Sequence, residues 1–196
     1  MAAGPSSLDR LVEDRERARA LYHRPAGLGA LLLIAVLAVV SVIWGINNPR
    51  SLPDVHGQIT VHRTLSVAHP HDFGVLPVHE DHYQAMEKSA TVHVKAVAAH
   101  VTEDTANADI TFSVCMMPYP RPASGPLPPL DELCTRVVPV TGVDLTIGPD
   151  SVQQLVMTVT ATQPGTVMVK GVDVTYSDGW RHGTQTTGQQ VRLYFG

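Results

Sequence analysis

The chain has few aromatic residues, few cysteines and no recognisable catalytic signature, and each shortage narrows what it can be. Aromatics make up 5 % of its 196 residues, so a core has to be built mainly from Val, Leu, Ile and Ala. No G-x-S-x-G elbow, no S-x-x-K with supporting motifs, no glycine-rich phosphate loop and no H-E-x-x-H helix occurs. The enzyme classes that depend on those arrangements are excluded, and neither catalysis nor a cofactor is expected. A basic surplus is also missing. The net charge is −4, whereas a nucleic-acid footprint needs a basic face.

Against these absences stands one long apolar run. Ala26–Ile46 reads AGLGALLLIAVLAVVSVIWGI, 21 residues without a charge. About 20 apolar residues in a helix cross the hydrocarbon core of a bilayer. The run is longer than the apolar part of a cleaved signal peptide, and no small-x-small cleavage site follows it. Trp44 suits an interfacial anchor, and Asn47-Asn48-Pro49 ends the helix. Residues 25–47 therefore read as an uncleaved signal anchor.

The flanks set an orientation. Five arginines precede the run (Arg10, Arg15, Arg17, Arg19, Arg24), and two, Arg50 and Arg63, fall in the twenty residues after it. The arginine-rich side stays cytoplasmic. This predicts a cell-membrane protein with one span, a cytoplasmic tail over 1–24 and an extracytoplasmic C-terminal part. The tail has a helical pattern with Ser6 and Asp9 at its start. Beyond the span remain nine of the fourteen Lys/Arg and fourteen of the eighteen Asp/Glu. That leaves a net charge of about −5 outside the membrane.

The C-terminal part reads as β throughout. Period-2 runs cover 58–67, 90–101, 108–116, 135–140, 142–147, 152–162, 166–176 and 184–195, separated by Pro, Gly, Asp and Ser. This spacing predicts an all-β sandwich of one core. It occupies 81–196, after a juxtamembrane segment over 48–80 that holds a candidate first strand and a histidine-rich loop. Within TVMVKGVDVTY the apolar parity switches between Val169 and Val172. A regular strand would turn one set outward, so a bulge or tight turn is expected at Gly171. Asp178-Gly179 is a hairpin signal, which puts Trp180, Arg181 and His182 at or beside a tip. Trp and Arg are enriched at protein contact surfaces, so Trp180 and Arg181 are a candidate partner surface. The alternative is that Trp180 folds back over one end of the sandwich.

PGTVMVKGVDVTYSDGWRHGTQTTG, residues 164–188, resembles the C-terminal part of uncharacterised single-pass membrane proteins of actinobacteria with an immunoglobulin-like extracytoplasmic domain. The resemblance is carried by Pro164-Gly165, Gly171-Val172, Tyr176, Asp178-Gly179, Gly183 and Gly188. It implies an immunoglobulin-like sandwich and a cell-envelope setting. It assigns no catalytic residue.

Cys115 and Cys134 bracket a segment with six prolines. Outside the membrane such a pair reads most simply as a disulfide. The closed loop is either a stiff element shown to a partner or a long connection kept from fraying. Eight of the ten histidines lie between residues 56 and 100. In HPHDFGVLPVHEDH (69–82), His69, His71, His79 and His82 are candidate Zn or Cu ligands, because imidazole suits both metals. The other reading is an exposed polar loop. His93 alternates with Val92 and Val94 and is expected to face water. The expected function is a non-catalytic binding or scaffolding module of the envelope, with a membrane protein or other envelope component as partner. The alternative is a metal-binding ectodomain built on the histidine-rich segment.

Overall fold

The computed structural model describes residues 25–48, 51–52, 58–76, 89–120, 125–148 and 151–196. The chain divides after Gly45 into two compact units. The first contains all but the last two residues of helix α1, Pro25–Asn47. Its side chains from Leu31 to Trp44 are exposed, with no polar face to present to water. Gly29–Asn47 is long and apolar enough to cross a bilayer. A helix of this kind near an N-terminus serves as a membrane anchor or a signal sequence. The expected tail helix over 1–24 lies outside the described residues.

The second unit is almost entirely β. Its strands are β1 Gln58–Thr60, β2 His71–Leu76, β3 Ala90–Asp104, β4 Ala108–Met116 and β5 Gly125–Pro126. After a short helix α2, Leu130–Leu133, come β6 Arg136–Pro139, β7 Asp144–Ile147 and β8 Gln153–Ala161. The last three are β9 Gly165–Asp178, β10 Arg181–Thr187 and β11 Gln190–Phe195. One sheet, A, runs β1-β11-β9-β3-β7 with β10 also on β9; the other, B, runs β5-β2-β8-β4-β6. Pairing is antiparallel except between β1 and β11. Val92, Val94, Val174 and Leu193 from sheet A share one buried core with Phe73, Val114, Leu155 and Met157 from sheet B. Fully burying side chains of this size contributes about 1.5–3 kcal/mol each.

The parity switch at Gly171 has the predicted cause. Ala99 pairs Val172 and Val101 pairs Val169, so Lys170 and Gly171 together face His100 alone. Both apolar sets of β9 then point into the core: Val167 and Val169 before the bulge, Val172, Val174 and Tyr176 after it. Gly171 has φ +143°, and a Cβ there would lie 2.8 Å from the Thr187 carbonyl oxygen. No other residue fits that corner without strain.

Three boundaries differ from the expectations. The 58–76 segment is not a juxtamembrane lead-in, because β1 joins sheet A and β2 joins sheet B. The alternating run 58–67 is a strand only over 58–60, although Val61 and Leu65 are still buried. The run 184–195 breaks at Gly188-Gln189 into two strands that share the same edge of β9.

Candidate functional site

His71 begins strand β2, and this overturns half of the loop reading for the histidine-rich stretch. Phe73, Val75 and Leu76 are core residues, and β2 pairs with β8 from His71 to Leu76. Residues 69–76 are thus mostly a core strand, not exposed loop. His71 Nε2 donates to the Ser66 carbonyl at 3.0 Å, and its ring lies 5.9 Å from that of Phe195. His69 is exposed. Among the described residues no three His, Cys, Asp or Glu side chains gather into a metal-binding group. His79 and His82, the other two candidate ligands, lie outside the described residues.

Cys115 and Cys134 are bonded, with Cα atoms 5.4 Å apart. Chain leaving β4 reaches β5 on the far side of β8 and β2, then returns through α2 to β6 beside β4. Residues 125–134 of this path cross the outer face of sheet B as a strap. Leu155 and Met157 point into the main core, so Val156 between them points outward. Val156 is nevertheless fully buried, under a second cluster with Cys115, Met117, Leu127, Leu130 and Leu133. Gln154 is also buried there and donates from Nε2 to the Leu76 carbonyl at 2.9 Å. The strap is a cover for apolar surface, beyond either role read from sequence.

Where the strap passes β2 it leaves a cleft of about 450 Å³. Leu65, Phe73, Pro126, Leu127, Pro128 and Pro129 supply its apolar lining, with Arg63, His71, Asp72 and Asp131 as polar groups. The Leu127 amide donates to the Asp72 carbonyl at 2.9 Å, which pins the strap to β2. Asp72 accepts from the Thr158 hydroxyl at 2.6 Å. Arg63 and Asp131 are exposed and carry opposite charges. Among the described residues none of the lining side chains is a hydroxyl or a thiol, so this described lining supplies grip and charge but no such nucleophile. Nothing in the sequence marked this cleft, because its walls come from three segments brought together by sheet pairing.

At the other end of β9, Asp178 pairs with Arg181 and leaves Gly179-Trp180 as the turn. Gly179 has φ +58° at the first central position, the place where a primed hairpin turn calls for glycine. Trp180 is 67 % exposed and does not fold back over the core. The Arg181 guanidinium lies 5.6 Å from its ring centroid. The same end holds the chain that follows α1. The Ser51 amide donates to the Tyr176 hydroxyl at 2.9 Å, and its own hydroxyl donates to Asp178 at 2.6 Å. The Leu52 amide donates to Gln185 Oε1, and Gln185 Nε2 donates back to the Leu52 carbonyl. Leu52 itself is buried.

A third grouping was not anticipated. On the outer face of sheet A, Asp144, His93 and Ser177 stand opposite one another on β7, β3 and β9. His93 Nδ1 is 2.8 Å from Asp144 Oδ1. The row has the composition of a hydrolytic triad without its working parts. Both His93 and Asp144 are exposed, and the cleft beside the strap does not include them. It reads as cross-strand polar pairing on a wet face, which fits the expectation that His93 faces water.

No protein-family model matches the chain, and no match was found among curated proteins or solved structures.

Proposed function

We propose that this chain is a membrane-anchored extracytoplasmic module that displays a binding cleft to another component of the cell envelope, with no catalysis of its own. The observation that carries this reading is the separation of two features along β9. The chain following α1 is clamped at the Asp178 end, by Ser51 and Leu52. The cleft lies at the other end, where Leu65 bridges Phe195 and Phe195 pairs with Gly165. A strand of that length spans on the order of 40 Å. One end is tethered and the opposite end is concave, a layout suited to holding a partner away from a membrane. A mostly apolar cleft with a few convergent polar groups is the usual form of a binding site.

The immunoglobulin-like reading is supported by two mostly antiparallel sheets over one core. Its signature bridge is different here. Antibody-type domains join their sheets with a disulfide against a buried Trp. In this chain the disulfide ties β4 to the strap on one outer face, and Trp180 is exposed.

A photo-cross-linker at Pro128, in the cleft, is expected to trap a discrete partner in intact cells, while one at Thr184 on the outer face of sheet A traps none. Arg63→Glu should weaken the Pro128 adduct about tenfold, the loss of roughly 1.4 kcal/mol of contact. Equal adducts at both positions, or none, would sink the cleft as the binding site. External protease that digests the C-terminal unit in intact cells supports the orientation. Protection of that unit reverses it.

A further inference from the structure

We infer that the Trp180–Arg181 hairpin tip is a second membrane contact, seated in the lipid headgroup layer beside the anchor. This rests on the reading of α1 as a span. The first argument is reach. Ser51 lies four residues beyond Asn47, the last residue of α1, and an extended chain covers at most about 3.6 Å per residue. Whatever the arrangement of the two units, Ser51 stays within about 14 Å of the helix end. Ser51 is hydrogen-bonded to Asp178, and Asp178 borders the turn that carries Trp180. The tip is therefore within reach of the place where a span would leave the bilayer.

Chemistry supplies the second argument. The headgroup layer on each side of the hydrocarbon is roughly 5–8 Å thick. It favours an exposed Trp, because the ring has an apolar body and a polar N–H. Arg181 shares the ring face, and a guanidinium meets a lipid phosphate with paired hydrogen bonds. His182 is exposed next to it. Asp178, the acidic neighbour, is occupied by Ser51. Trp180 also sits in a two-residue turn, so it enters the layer without moving a strand.

The sequence contains two tryptophans, Trp44 and Trp180, and Trp44→Phe in the full-length protein leaves Trp180 as the only indole. The test reconstitutes that variant in nanodiscs of phosphatidylcholine with phosphatidylglycerol. Lipid spin-labelled at the headgroup should quench at least half of the emission, while aqueous iodide quenches at least twofold less than it does for free tryptophanamide. Arg181→Glu should reduce the lipid quenching at least twofold with the circular dichroism unchanged. An inserted chain whose Trp180 ignores the spin label and is freely quenched by iodide overturns the inference and leaves a protein partner as the occupant of the tip. A chain that does not enter the nanodisc at all overturns the anchor reading and this inference with it.

Discussion

The outer faces of the two sheets meet water in opposite ways. Sheet A presents a wet face of cross-strand polar pairs: Thr91 with Thr146, His93 with Asp144, Thr175 with Thr184, and Thr186 with Asp173. Sheet B has an apolar patch around Val156 on its outer face and hides it under a disulfide-tied strap. The difference is legible along the strands. β3 begins with strict alternation, Val92 and Val94 buried and Thr91, His93 and Lys95 exposed. In β8 the residues from Gln154 to Met157 are buried without a break. A strand covered on one side alternates, and a strand covered on both sides does not. The lesson is that a second covering layer leaves its trace in the strand beneath it.

The comparison breaks most sharply at Val156. Val156→Asp buries an unpaired charge beneath the strap and is expected to cost about 3–5 kcal/mol. Thr184→Asp on the wet face should cost under about 1 kcal/mol. Urea unfolding of both variants decides it, and similar losses would mean that sheet B is not covered as described.

Next in size is the staple. Replacing Cys115 and Cys134 with Ser should lower stability by about 3 kcal/mol at most, the value for closing a loop of about this length. The prolines already restrict the unfolded chain, which trims the effect. Thiol labelling at Leu127→Cys, in the cysteine-free background, should rise on loss of the staple. Unchanged labelling would show that apolar contacts alone hold the strap.

Sheet A has its own weak point at the β9 bulge. Gly171→Ala is expected to cost about 2 kcal/mol, from the φ of +143° and the Thr187 oxygen in the way of a Cβ. A neutral result in thermal melting would mean that the corner relaxes. The smallest effect belongs to the clamp. Tyr176→Phe removes the hydroxyl that accepts from Ser51 and donates to Gln185, for a loss of about 1–2 kcal/mol. Amide exchange at Ser51 should accelerate with it. Unaltered exchange would show that Asp178 and Leu52 suffice to hold the segment.

Sequence alone determined the features set by neighbouring residues. The apolar helix, most strands, the Gly171 bulge and the Gly179 turn depend on local periodicity or on one residue's backbone freedom, and all were readable. The cysteine pair was readable because two thiols leave one partner each. Tertiary structure decided the rest. HDFGVL is short, polar at its start and interrupted by glycine, so only its pairing with β8, 79 to 88 residues away, makes it a core strand. The strap looked like a proline-rich loop because the surface it covers belongs to strands on either side of it in the chain. Arg63, His71 and Asp131 likewise share a cleft through sheet B and the strap, and no spacing between them announces it. Local periodicity is written residue by residue, whereas which faces meet depends on long-range pairing that the pattern of any one strand leaves open.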